Sequence, residues 1–74
     1  MAVGTVKRWS DEDGWGVLAS PDVPGEVFAH FSRIDADGYR SLDDGARVEF
    51  DWEHFPPGQD GYFYRATRVV RLAR

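Results

Sequence analysis

The sequence predicts an all-β fold, a five-stranded antiparallel Greek-key barrel. Three observations lead there. Apolar and polar residues alternate in five short runs, separated by clusters of Gly, Pro, Asp and Ser. Five short strands in a chain of 74 residues either leave exposed edges or close on themselves, and closure removes the edges. The third and fourth runs are separated by a long connection, which suits a Greek-key crossover better than a meander of hairpins.

The first strand is expected over Val3 to Ser10, ending in the turn-like "SDEDG", and the second over Trp15 to Ala19. "SPDVPG" follows as a loop, because its two prolines cannot donate to a ladder. Glu26 to Phe31 is a third strand, and "SRIDADGYRSLDDG" is the long connection, with room for one short helical turn. Arg47 to Glu53 is a fourth strand, "HFPPGQDG" a loop with a turn at "FPPG", and Tyr62 to Leu72 a fifth strand. No repeat, linker or low-complexity tract interrupts residues 1–74, which read as one domain.

Composition narrows the function classes. A domain this small buries only about 60% of its unfolded surface, so modest stability is expected. There is no cysteine, which excludes disulfides and thiolate metal sites. "MAVGTVKRWS" lacks the apolar run of a signal peptide, and no stretch approaches the roughly 20 apolar residues of a membrane span. The expectation is a soluble, cytoplasmic protein. The formal charge of -4 taken alone argues against a nucleic-acid partner. Its distribution argues less, because the acids gather at Asp11 to Asp13, Asp43 and Asp44, and Glu49, Asp51 and Glu53. The bases lie elsewhere, at Lys7 and Arg8, Arg33 and Arg40, and Arg65, Arg68, Arg71 and Arg74, so one basic face is compatible with a net negative sum.

A strand alternates its side chains between two faces. Leu18, Val27, Ala29, Val48 and Phe50 then fill an interior, and Trp15, Val17, Phe28 and His30 are left outside on two adjacent strands. In the first strand Val6 opposes Lys7 and Trp9, and Arg8 shares the Val6 side unless a bulge shifts the register. An outer apolar patch needs a reason. The glycines beside these rings keep the surface open to another planar group. Bases are planar, and stacking one on an exposed aromatic contributes about 1–3 kcal/mol. Lys7, Arg8, Arg33 and Arg40 are placed to line a phosphate path. Against these readings stand plainer ones: Trp9 packed under the barrel rim, Tyr39 as a local anchor, and Arg65, Arg68 and Arg71 as edge-strand charges rather than a second phosphate track. The run Glu49, Asp51, Glu53 is read as a solvated outer face, and Phe50 and Trp52 as core and wall.

The segments "GTVKRW", "DGWGVL", "EVFAHFSRI", "DGYRSLDDGARVEF" and "ATRVVRL" together resemble the bacterial cold-shock proteins, collinearly from Gly4 to about Leu72. The resemblance implies an OB-fold barrel that binds single-stranded RNA or DNA, often pyrimidine-rich, in proteins that act as RNA chaperones or regulators of transcription and translation. It puts Lys7, Trp9, Trp15, Phe28, His30, Phe31 and Tyr39 at the family's binding positions, and positions 8 and 17 with them. It also puts Arg8 and Phe31 on or near the binding surface, where strict alternation does not. Departures from the family pattern stand at Arg8 (usually Trp), Asp13 (usually Lys) and Val17 (usually Phe). Trp9 and Trp15 replace the usual phenylalanines, and "YFYRATRV" offers Tyr62 or Tyr64 as a new ring.

The expected nucleic-acid-binding set is therefore Lys7, Arg8, Trp9, Trp15, Val17, Phe28, His30, Phe31, Arg33 and Tyr39, working by stacking plus charge in a monomer. No cofactor is expected. No metal is expected, because His30 and His54 have no third ligand at a useful spacing. No catalysis is expected, because no nucleophile or acid–base set surrounds His30. The competing reading is a protein-interaction or homodimerisation module on the same fold, favoured by the ring losses at positions 8 and 17 and by the acidic balance.

Overall fold

The computed structural model describes residues 1–35, 41–59 and 61–72. Its strands are β1 Ala2–Ser10, β2 Trp15–Ala19, β3 Val27–His30, β4 Arg47–Gln59 and β5 Tyr62–Arg71. They form a closed barrel in the order β1-β2-β3-β5-β4, with β1 pairing β4 to complete the ring. The closed five-stranded barrel read from the sequence is thus present. Four seams are antiparallel, and the β3–β5 seam is parallel. Parity requires this correction to the all-antiparallel expectation. Strand direction reverses at each antiparallel seam, and an odd number of reversals cannot bring a ring back to its starting direction. The crossover carries the chain from β3 to a fourth strand that pairs with β1, so the parallel seam falls between β3 and β5.

The interior follows the alternation. Val6, Leu18, Val27, Val48, Phe50 and Val69 are fully buried, joined by Ala2, Ala29 and Ala66. Ile34 and Leu42, from the crossover, add to the same cluster. Fully burying each valine, leucine or phenylalanine contributes about 1.5–3 kcal/mol. Ile34 bridges to Val69, and the Asp35 N–H donates to the Val69 carbonyl at 2.7 Å, which ties the start of the crossover to β5. Trp52 and Tyr64 pack edge to face against this core, with ring centroids 5.6 Å apart.

Strand boundaries differ from the sequence expectation by single residues at the starts of β1 and β3 and the end of β5, and two further ends differ for a physical reason. The third strand stops at His30, and Phe31–Arg33 form one 3-10 turn. The His30 ring accepts the Ser32 N–H and so satisfies a donor the turn leaves orphaned. The fourth strand continues through "HFPPGQ", which the prolines had marked as loop. His54 pairs with Tyr64 and Gln59 with Tyr62, so Phe55 to Gly58 all face Phe63 alone. In such a wide bulge Pro56 and Pro57 are not asked for ladder hydrogen bonds.

β1 carries its own bulge. Val6 pairs with Leu18, and Arg8 pairs with Val17, leaving Lys7 without a partner. The crossover's end meets the bulged strand: Val6 exchanges hydrogen bonds with Gly45 and Ala46, and the Trp9 N–H donates to Asp44 Oδ1 at 2.8 Å. Beyond the bulge Trp9 pairs with Gly16, and the indole lies where a Cβ on Gly16 would point. That Cβ would also meet the Arg8 carbonyl oxygen, a backbone atom that cannot step aside. Gly16→Ala is therefore expected to destabilise the fold by about 1–3 kcal/mol through overpacking. Urea unfolding would read this as a lowered midpoint with an unchanged slope, and an unshifted midpoint would contradict the close approach.

Candidate nucleic-acid interface

The bulge at Lys7 assembles the site. Residues paired across adjacent strands share a face. Without the extra residue Arg8 would point inward with Val6. With it, Arg8, Val17, Phe28 and Arg65 form one row across β1, β2, β3 and β5 on the outer surface. Trp15 and His30 form the next row. The same shift turns Trp9 to the interior side, in register with Gly16 and Ala29, where it packs partly buried against the core. This overturns the simple alternation that put Trp9 beside Lys7. The indole keeps its edge at the rim, with its N–H donating to Asp11 Oδ1 at 3.0 Å.

The outer rings are closed on one another rather than laid open. Trp15 stacks on Phe28 with centroids 4.8 Å apart and planes at 28°. Tyr62 meets Trp15 at 6.2 Å and 67°, and its hydroxyl accepts a hydrogen bond from Arg8 Nη2. Phe28 is consequently only 4% exposed, and Val17, between Arg8 and Phe28 in the same row, only 1%, although neither belongs to the core cluster. Alternation identified their face correctly, but its expectation of an open surface is corrected by the rings above them. The glycines behave in the same way. The planar groups that approach them are the protein's own: Trp9 over Gly16, and Phe31 over Gly14, where a Cβ would lie 3.1 Å from the ring. Gly14 adopts φ 78°, and its carbonyl accepts the Phe31 N–H at 2.8 Å, so the β1–β2 turn and the 3-10 turn are fastened together. Phe31 remains 44% exposed and tilts against His30 at 4.5 Å.

His30 Nδ1 lies 3.2 Å from the Ser32 N–H and 2.8 Å from the Ser32 hydroxyl. Accepting the amide fixes the neutral ring with its proton on Nε2. Phe28, His30, Ser32, Arg33, Arg65 and Ala66 line a cleft across β3 and β5, and Arg8, Trp9, Ser10, Asp13, Trp15 and Gly16 line another between β1 and β2.

The cations divide into two groups. Lys7 pairs with Glu26, Arg65 with Glu53, and Arg68 with Asp35. The hydrogen bonds that Arg68 donates to the Asp35 carboxylate, then the charge of that carboxylate, raise the Arg68 pKa above its ordinary value. Arg65 also lies over the Phe55 ring, 4.0 Å from its centroid. β5 lies between β3 and β4 in a closed ring, so these arginines are not edge charges; Glu53 and Asp51 stand opposite Arg65 and Arg68 in register. Among the described residues Arg8, Arg33, Arg47 and Arg71 are in no ion pair, and of these Arg8 and Arg33 border the aromatic rows. Tyr39 and Arg40 lie outside the described residues. Two members of this surface were absent from the expected set. Arg65 is read from the sequence as an edge-strand charge or part of a second phosphate track, and Tyr62 as one of two candidate rings; the other, Tyr64, turns inward toward Trp52.

Comparison with known proteins gives a consistent result. The family model described as the "'Cold-shock' DNA-binding domain" matches residues 2–71. The chain is 45% identical over 72 residues to the major cold shock protein of Micrococcus luteus, covering 97% of this chain and 100% of that protein. It is 36% identical over 73 residues to the cold shock-like protein CspD of Haemophilus influenzae, covering 99% and 94%. It is 49% identical over 51 residues to the cold shock protein ScoF of Streptomyces coelicolor, covering 69% and 76%.

The tautomer of His30 is directly measurable. Long-range ¹H–¹⁵N spectra of the neutral ring are expected to show a protonated Nε2 and a bare Nδ1. A protonated Nδ1 would mean that the cap on the 3-10 turn is not made in solution.

Proposed function

The chain belongs to the cold-shock DNA-binding domain family and binds single-stranded nucleic acid, and we propose that it does so by stacking bases on the outer face of β2 and β3. The observation that carries this reading is the contiguous set Trp15, Phe28, His30 and Phe31, bordered by two arginines that are in no ion pair among the described residues. Bases lie on the partly exposed Trp15, His30 and Phe31, and Phe28 backs Trp15 from beneath. Arg8 and Arg33 take phosphates at either side. Trp9 supports the floor through Gly16 instead of stacking, and Val17 fills the space between Arg8 and Phe28. Tyr39 belongs to the proposed set by resemblance alone.

Charge sets the character of the binding. Each neutralised phosphate on a single strand contributes about -0.7 to the slope of log affinity against log salt. Arg8 and Arg33 together give about -1.4 on that basis, a shallow dependence. Lys7 adds to it only after release from Glu26. A ligand held mainly by stacking is read for shape and flexibility rather than by base edges, which favours pyrimidine-rich strands. We read the protein as a monomeric, cytoplasmic binding protein without catalysis, acting as an RNA chaperone or as a regulator of transcription or translation. No helix among the described residues is long and apolar enough to cross a membrane.

Titration of oligothymidine or oligouridine, followed by tryptophan fluorescence at two salt concentrations, tests the reading. Saturable quenching that weakens modestly with salt is expected. No quenching at low salt, from a folded protein whose size grows with its own concentration, would point to the protein-interaction module instead. Phe31→Ala, which removes an exposed ring on which a base lies, is expected to weaken binding by about 1–3 kcal/mol, the value of one stacked base. Glu26→Gln is expected to strengthen it by about 1.5–5-fold, because breaking an exposed ion pair worth about 0.2–1 kcal/mol frees Lys7. An unchanged affinity in Glu26→Gln would remove Lys7 from the phosphate path.

A further inference from the structure

We propose that Tyr62, on the β4–β5 hairpin, is a base-contacting ring of this interface and that Arg8 positions it. The proposal rests on the nucleic-acid reading above and extends the stacking rings from β2, β3 and the 3-10 turn onto β5.

Arg8 and Val17 supply no ring to the outer row, so the aromatic surface of β2 and β3 narrows at its centre. The hairpin fills part of that deficit. β4 runs to Gln59 and β5 begins at Tyr62, so the strands extend past the barrel wall. The wide bulge at Phe55 to Gly58 lies beside this end of the hairpin and increases its local bend. Tyr62 arrives at Trp15 with the planes at 67°. Two rings nearly at right angles make a corner, in which a base lying flat on one is met by the other. Two independent links hold Tyr62 there, its ring against Trp15 and its hydroxyl on Arg8 Nη2.

Arg8 is suited to position the ring without losing its charge. The phenol is a neutral acceptor, so this hydrogen bond uses one guanidinium N–H without neutralising the charge, and no described carboxylate pairs with Arg8. Lys7, Arg65 and Arg68 each face a carboxylate instead. The same side chain therefore orients a ring and offers a phosphate contact beside it.

Affinity for oligothymidine, measured for a series of Tyr62 variants whose folding is checked by thermal unfolding, decides the matter. Tyr62→Ala and Tyr62→Leu are expected to lose about 5- to 150-fold, the equivalent of one stacked base, with the salt slope unchanged. Tyr62→Phe and Tyr62→Trp are expected to stay within a few-fold of the parent, because a ring remains. Arg8→Ala is expected to lower both the affinity and the magnitude of the salt slope by about 0.7. Equal affinity in Tyr62→Ala and the parent would overturn the proposal. Tighter binding in Tyr62→Ala would also overturn it, by showing that the ring covers the platform and must leave. Failure of the parent protein to bind oligothymidine at all would instead sink the reading of the whole interface, so the two failures are distinguishable.

Discussion

One extra residue in β1 governs the rest of the molecule. Because side chains alternate with period two, a shift of one position exchanges the two faces of everything downstream. Lys7 is that shift. Upstream of it Val6 points into the core; downstream of it Arg8 points out and Trp9 points in. A guanidinium among Val6, Leu18 and Val27 would be an unpaired buried charge, which a barrel this small could not tolerate. The bulge avoids that outcome and also puts a cation beside the aromatic rows. Its backbone is not left orphaned, since Asp44 and the Gly45–Ala46 segment take up the neighbouring N–H and carbonyl groups. The acids of "DED" and "DD" are thus partly structural: Asp11 and Asp44 both hold Trp9, and Asp11 also accepts from Ser41.

Most of the architecture was legible in the sequence, because burial and alternation are local signals. Leu18, Val27, Ala29, Val48 and Phe50 all lie in the core cluster where alternation put them. The fourth strand was cut short because Pro56 and Pro57 signal a break, and a wide bulge accommodates both without ending the strand. The parallel seam is invisible to any single strand's pattern and follows only from the count around the ring. The site was legible as a face but not as a surface. Trp15, Phe28 and His30 stand on the expected side, yet nothing in their spacing says that Trp15 will lie on Phe28 and cover it. Tyr62 illustrates the limit from the other direction. Its position depends on how far a hairpin extends and curls, and no local pattern records that.

The cations show why a net charge of -4 is a poor guide here. Three basic side chains are answered by carboxylates, Lys7 by Glu26, Arg65 by Glu53 and Arg68 by Asp35. Exposed pairs of this kind contribute little to stability, about 0–1 kcal/mol each. Their larger effect is to decide which cations remain unpaired, and among the described residues of this surface those are Arg8 and Arg33. The balance favours an interface in which rings supply most of the attraction.

The parallel β3–β5 seam has a kinetic consequence. Every antiparallel seam except β1–β4 joins strands consecutive in the chain and can form as a local hairpin. The β3–β5 seam joins Val27 to Tyr64 and Phe28 to Arg65, so it requires closure of a loop of more than thirty residues. Loop closure of that length costs entropy before any contact returns it, and β1–β4, joining Thr5 to Arg47, spans still more of the chain, so these two seams form late in assembly. Phe28 and Arg65 lie on the seam itself. A chain still being made, or one opened by a local fluctuation, can therefore have its hairpins and much of its core while the aromatic face is incomplete. Ring closure and competence for the ligand are one event, and a strand bound across β3 and β5 would act as a strap that slows the ring's reopening.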